Sequence, residues 1–289
     1  MFHRTDRIVI AVPNLERARR EMIGVLGRSP AWIGEYHAVG IGCVSFRLEN
    51  MHIELVSPRE ETEANAALRA RLDEHGAGLH AIVLESDDLP AAIKILRERG
   101  LSPHDPVEVI ARDEPSGAYR RMLRSGLPAS ETAGIRIELN QTLDESGEDP
   151  PSLPIGNEAA AVCDGDHVVI FTAAPERAID LFRDKLDIRL ALDRTFEARQ
   201  TRLLFFRLGG FTIEVGTSLR EQDDDAPAND RFFGLAYEVE DIDAAAVRIA
   251  DAGLEISDFR DGNKPGTRVF TIKGSPVGVP TLIIQHLDR

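Results

Sequence analysis

Runs of apolar residues recur four times along the chain, and each is followed by a stretch whose apolar positions fall at helical spacing. Residues 7–12 (Arg7-Ile8-Val9-Ile10-Ala11-Val12) are apolar and β-branched, which predicts a buried strand. Pro13-Asn14 supplies a turn and a helix N-cap, residues 15–26 carry the helical pattern, and Gly27 is placed to stop it. Residues 40–48 and 51–56 read as two strands joined by a Glu49-Asn50 turn. This is a β-α-β-β-β module, and Arg59 to Glu74 reads as a charged connecting helix.

A second module opens at Leu79-His80-Ala81-Ile82-Val83-Leu84, with Asp87-Asp88-Leu89 capping a helix to about Glu98 and strands near 106–112, 117–124 and 134–141. Residues 142–157 turn acidic and Pro-rich (Glu145, Glu148, Asp149, Pro150, Pro151, Pro154), a composition that suits a linker. The third module runs from His167 to Thr217. Asp223-Asp224-Asp225-Ala226-Pro227 then reads as a solvated loop, and the fourth module runs from Gly234 to Gln285. The copies agree in detail. Glu54 follows Arg7 by 47 residues, and Glu214 follows His167 by the same distance. Asp88 and Gly100 recur as Asp241 and Gly253. An internal repeat of this kind predicts two domains of paired modules, at 1–145 and 158–289.

Composition narrows the function. The net charge of −15, from 49 acidic and 34 basic residues, argues against a phosphate-backbone partner, so nucleic acid is not expected. An apolar share of 43% supports a real core, and aromatics at 6% leave that core to Val, Ile, Leu and Ala. Cys43 and Cys163 match no metal spacing and suit a reducing compartment. No apolar run reaches the ~18 residues of a membrane span. The expectation is a cytoplasmic protein with no membrane partner, acting on a small molecule as a monomer or homodimer. There is no P-loop and no nucleophile elbow, and Gly40-x-Gly42 lacks the third glycine of a dinucleotide loop.

The strand–helix–three-strand modules resemble the vicinal oxygen chelate superfamily, also called the glyoxalase/bleomycin-resistance/extradiol-dioxygenase family. The motifs that carry the likeness are Ile8-Val9-Ile10-Ala11-Val12-Pro13-Asn14-Leu15, Ile53-Glu54-Leu55-Val56, Ile137-Glu138-Leu139 and Ile213-Glu214-Val215, with Asp87-Asp88-Leu89 and Glu240-Asp241-Ile242 opening two helices. The resemblance implies an α+β fold of four βαβββ modules, paired into two half-open-barrel domains. It also implies a divalent metal (Zn, Fe, Mn, Co or Ni) held by a first-strand His and a last-strand Glu, ligands that suit such ions.

Set against that pattern, His167 and Glu214 are the retained metal candidates. Glu54 is a weaker one, because Arg7 stands at the first-strand position beside it and stays protonated. Module two has Ala81 at that position, with His80 facing the other way, and Glu138 on its last strand. Module four has Gly234 and Leu282. Glu214 and Glu138 are candidate general acid/base residues. Arg7, His37, Arg194 and Arg268 are candidate substrate contacts. Arg7 has pairing with Glu54 as its plainer alternative, and His37 lies in a Gly-bracketed loop. The resemblance implies metal-assisted isomerase or lyase chemistry on a substrate with vicinal oxygens. Metal-free sequestration of the bleomycin-resistance type is the alternative. Extradiol oxygenation fits less well, since Gly234 and Leu282 break its ligand set. A further possibility is that one domain is a dead copy that holds the other in shape.

Overall fold

The computed structural model describes residues 1–145, 151–220 and 229–287. Each half of the chain contributes eight strands. In the first half these are β1 (Arg4–Ala11), β2 (Trp32–Tyr36), β3 (Ile41–Arg47), β4 (His52–Pro58), β5 (Gly78–Glu85), β6 (Val107–Asp113), β7 (Tyr119–Gly126) and β8 (Ile137–Glu145). In the second they are β9 (Val162–Phe171), β10 (Arg189–Phe196), β11 (Thr201–Leu208), β12 (Phe211–Ser218), β13 (Arg231–Val239), β14 (Arg260–Asp261), β15 (Thr267–Ile272) and β16 (Thr281–His286). The helices are α1 (Leu15–Leu26), α2 (Ala66–His75), α3 (Leu89–Glu98), α4 (Pro175–Ile179), which runs on into a π-helical turn, and α5 (Ile242–Asp251). This is the α+β arrangement of paired modules that the repeat predicts.

Local chemistry sets the helix ends. Asn14 accepts a hydrogen bond from the Arg17 N–H at 2.8 Å, and Gly27 takes the left-handed φ of 64° that lets its own N–H close on the Ile23 carbonyl. Asp241 caps α5 by accepting from the N–H groups of Asp243 and Ala244. The apolar faces of α1, α3 and α5 feed one hydrophobic core with the outward sides of both sheets, containing Met22, Leu96 and Ile249 together with Phe46 and Phe206. The halves are tied directly as well: Arg248 donates to the carbonyls of Gly24 and Val25.

The two sheets end differently. In the first, β2 pairs with β6 through Gly34–Asp113 and Glu35–Arg112, and the eight strands close into a barrel. In the second, β10 and β14 are free edges of an open sheet in the order β10-β11-β12-β9-β13-β16-β15-β14. One residue contributes to this contrast. A Cβ at Gly34 would collide with the Arg112 carbonyl, so glycine lets β2 approach β6. At the matching repeat position, two residues before the aromatic pair Tyr36 and Phe196, the second half carries Arg194. Trp32 is 4% exposed inside the closed barrel, whereas Leu192, its counterpart in the open sheet, is 47% exposed.

Several expectations need correction. Gly34 to Tyr36 is part of strand β2 and not a loop; only His37–Val39 forms the turn. The connecting helix starts at Ala66, since Glu60, Thr62 and Asn65 form a hydrogen-bonded turn ahead of it. Strand β8 extends to Glu145 within the expected linker, while Glu148, Asp149 and Pro150 lie outside the described residues. Pro151 to Asn157 runs beside the end of α1, with Ile155 donating to the Gly27 carbonyl at 2.8 Å. Asp223, Asp224 and Asp225 also lie outside the described residues.

Candidate active site

Strand registers place the ligand positions as the repeat suggests. Val9 pairs with Glu54 and Arg7 with His52, so Arg7 and Glu54 are neighbours on the inner face of the barrel. Val169 pairs with Glu214 and His167 with Thr212, the same arrangement in the open sheet. The Val83–Glu138 and Ala236–Leu282 pairings put Ala81 and Gly234 at the remaining first-strand positions.

In the barrel these positions are consumed by ion pairing. Arg7 Nη1 donates to Glu54 Oε1 at 2.9 Å, its Nε donates to Asp6 at 2.6 Å, and the Tyr36 hydroxyl donates to Glu54 at 2.7 Å. Arg124 closes the network on Tyr36 Oη at 2.9 Å. Arg7 and Glu54 side chains are each 4% exposed. Burial opposes the Arg7 charge, but the Asp6 and Glu54 carboxylates hold it firmly protonated. Arg7 is thus spent on Asp6 and Glu54, and Glu54 Oε1 already accepts from both Arg7 and Tyr36. Glu138 is corrected in the same way. Burial would raise its pKa, yet Arg136, 2.7 Å away, and Arg124 hold it below the usual carboxylate value, which makes it a poor base. His80, pushed down to about 4 by burial and by Arg136 against the Glu138 charge, is a bulge residue that the β1–β5 ladder skips, so simple alternation does not turn it away from Ala81 as expected.

The open sheet arranges the same positions around a β-bulge. Ala236 pairs with His167 and Tyr237 with Gly165, so Asp166 is an extra residue that the ladder skips. The bulge turns Asp166 inward beside His167, where its Oδ1 accepts from His167 Nδ1 at 2.5 Å. The other ring nitrogen, Nε2, faces Glu214 Oε2 at 3.9 Å. Asp166 Oδ2 lies 2.9 Å from Nε2 of His286. The first half brackets the bulge: Asn50 donates to the Gly165 carbonyl at 2.8 Å and accepts from its N–H at 3.0 Å. A Cβ at Gly165 would come within 2.5 Å of Met51 Sδ, so a larger residue there would make Met51 shift.

Burial and the Asp166 charge push the Glu214 carboxyl above its ordinary pKa, with His167 opposing. Burial disfavours the His167 imidazolium, but the hydrogen bond to Asp166 and the charges of Asp166 and Glu214 outweigh it and raise the pKa. Asp166 is held well below the usual range by its two imidazole partners, against burial. Both groups of the pair are thus shifted toward their protonated forms.

The other predicted contacts scatter. Arg194 stands on the inner face of β10, stacked over Phe196 at 4.7 Å, in the row Arg194–Leu203–Gly216–Phe171 next to that of Glu214. His37 is exposed at the end of the first barrel, 3.5 Å from Glu35. Arg268 is on the helix side of β15, donating to Asp243 at 2.6 Å and stacked over Phe259. It does not face the cleft, which corrects its assignment as a substrate contact. Asp166, Glu238, His286 and Asn50 were not anticipated. The repeat carries a signal for Asp166, since Asp6-Arg7 and Asp166-His167 occupy the same place in their modules.

At the family's metal positions the second half offers His167 and Glu214 alone, because Gly234 and Leu282 have no donor side chain. Catalytic metals of this type keep three protein ligands, so the pair by itself does not fit a tightly held ion.

The comparisons agree with this architecture. The model of the Glyoxalase/Bleomycin resistance protein/Dioxygenase superfamily matches residues 6–115 and 166–271. Bovine mitochondrial methylmalonyl-CoA epimerase is 26% identical over 141 residues, covering 48% of this chain and 74% of the epimerase. Among solved structures, a mutant of 4-hydroxymandelate synthase from Streptomyces coelicolor superposes with a TM-score of 0.67 at 14% identity, over 98% of this chain and 92% of the synthase. The Mn(II)-bound glyoxalase from Novosphingobium aromaticivorans does so at 0.63 and 13% identity, over 99% of this chain and 83% of the glyoxalase. The chain belongs to the glyoxalase/bleomycin resistance protein/dioxygenase superfamily.

Proposed function

We propose that this chain is a glyoxalase-like enzyme that moves a proton on a small substrate with two adjacent oxygens, in the open cleft of its second half, as an isomerase does. One contrast carries the reading. The Arg7–Glu54 pair is sealed at 4% exposure, whereas His167 and Glu214 are 18% and 16% exposed and no arginine is paired with Glu214 among the described residues.

Glu214, with its pKa raised by burial, takes the proton from the carbon beside a carbonyl. His167, whose Nδ1 is held by Asp166, turns Nε2–H toward the oxygen on which negative charge develops. Returning the proton to the other face of the same carbon gives epimerisation, and returning it to the neighbouring atom gives isomerisation. Arg194, stacked over Phe196, would supply the cation for an anionic group of the substrate, with Phe171 as an apolar wall beside it. The likeness to methylmalonyl-CoA epimerase supports proton transfer over a redox reaction. The test is proton NMR in D₂O, with the protein incubated with 2-hydroxy ketones, α-branched acyl thioesters and 2-oxo acids. Enzyme-dependent loss of an α-proton signal in one class supports the reading, and no exchange in any class contradicts it.

A further inference from the structure

We infer that a divalent-cation site lies on the same inner face as His167 and Glu214 but is built from Asp166, Glu238 and His286. These residues stand on β9, β13 and β16, three neighbouring strands, and their ligand atoms lie within 4.8 Å of one another. His286 Nε2 is 2.9 Å from Asp166 Oδ2 and 3.7 Å from Glu238 Oε2. The side chains of His286 and Glu238 are 9% and 11% exposed, and Asp166 is 21% exposed.

Three features favour a cation here over a simple hydrogen-bonded trio. The ring proton on Nε2 can serve one carboxylate well but not both, as the unequal distances show. A divalent ion takes a lone pair from each of the three groups. The bulge at Asp166 is the second feature. A regular strand would point one of two successive side chains at the helices, and the extra residue turns Asp166 inward beside His167, with the Asn50 clamp holding the turn. Third, the surroundings are acidic. Asp164 pairs with Glu238 across the ladder, so a third carboxylate stands beside the trio.

Two carboxylates and one imidazole suit Mn²⁺, Fe²⁺, Co²⁺ or Zn²⁺. Three protein ligands also leave positions open, the usual count for a working metal. On binding, Nε2 gives up its proton to become a ligand, and the ring proton sits on Nδ1. Lys264, now 3.4 Å from Nδ1, is solvent-exposed and has room to turn away. Asp166 would then serve both neighbours, one oxygen on His167 and the other on the ion. The site stands whether or not Glu214 is the base.

The experiment is Mn²⁺ titration of chelator-stripped full-length protein, following the electron paramagnetic resonance signal of the free ion. The wild type is measured beside His286→Gln, Glu238→Gln and Glu214→Gln. Glu238→Gln keeps the shape of the side chain, so it reports on ligation even if His286→Gln is unstable. The expected result is one ion per chain, weakened by more than about a hundredfold in His286→Gln and Glu238→Gln, beyond what loss of an outer-shell partner costs. Glu214→Gln should bind like the wild type. Absence of Mn²⁺ binding in the wild type overturns the inference, as does a loss in Glu214→Gln equal to that in Glu238→Gln.

Discussion

Replacing a histidine with an arginine changes what the carboxylates around it can do. At Arg7 the guanidinium neutralises Asp6 and Glu54, and the site becomes a buried ion network. At His167 the imidazole leaves Glu214 3.9 Å away and able to react. The barrel interior also carries a pH signature in His52. Burial, with the Arg7 and Arg120 charges and against Asp6, pushes its pKa down to about 3 from 6.5. Below pH 6.5 the unfolded chain takes a proton that the folded chain refuses, so stability falls as the pH drops toward 3, by up to about 1.4 kcal/mol per pH unit. His80, at about 4, acts in the same direction. Urea midpoints measured from pH 7 to pH 4 should therefore decline, and His52→Gln should flatten the decline; an unchanged slope would remove His52 from the account. At this scale the 47-residue spacing made His167 and Glu214 legible. Asp166 and His286 were not, because strict alternation turns Asp166 away from His167 and His286 follows the last apolar residue of its strand.

A bulge and a turn, one from each half, set the geometry of the cleft. The β3–β4 turn reaches across to the bulge in β9, with Asn50 bonded to both backbone groups of Gly165 and the Glu49 N–H donating to the Cys163 carbonyl. Asn50→Ala removes two hydrogen bonds, each worth about 0.5–1.5 kcal/mol, and lets Asp166-His167 drift. The expected outcome is a modest drop in stability with a loss of about tenfold or more in turnover, since about an ångström of misplacement is costly in rate. Unaltered turnover in a folded Asn50→Ala would show that the clamp is idle. Helices and long strands were readable from periodicity and caps. Strand β2 was not, because its five residues lie between glycines and its strand character comes from pairing with β3 and β6. Arg268 was misplaced for a related reason. Its pairing with Gln285 puts it on the same side as Phe270 and Ile272, under α5, and that register cannot be counted from a Gly266 turn.

Taken as a whole, the molecule is one closed barrel and one open sheet that share a core. The apolar cluster runs without a break through both halves, and Arg28 crosses from the end of α1 to the carbonyl of Ser152 at 3.0 Å and to that of Val162. A scanning calorimeter should record a single transition, with calorimetric and van't Hoff enthalpies equal; two resolved transitions would mean that the halves unfold separately. This arrangement gives the sealed barrel a role. Its Arg7 and Glu54 are tied to each other, and its β3–β4 turn braces the bulge on which His167 sits. Four-module architecture was legible from the repeat. Closure of only one sheet was not, since it depends on how closely a backbone may approach at Gly34 and at Arg194. Glu214, and not the last-strand carboxylate Glu138 of the barrel, is expected to move the proton. The most direct measurement is the rate of α-proton exchange in D₂O for Glu214→Gln beside Glu138→Gln, on the substrate class that the wild type exchanges. Loss of about a hundredfold or more in Glu214→Gln, with Glu138→Gln near the wild-type rate, is the predicted result. Near-wild-type exchange by Glu214→Gln would contradict it.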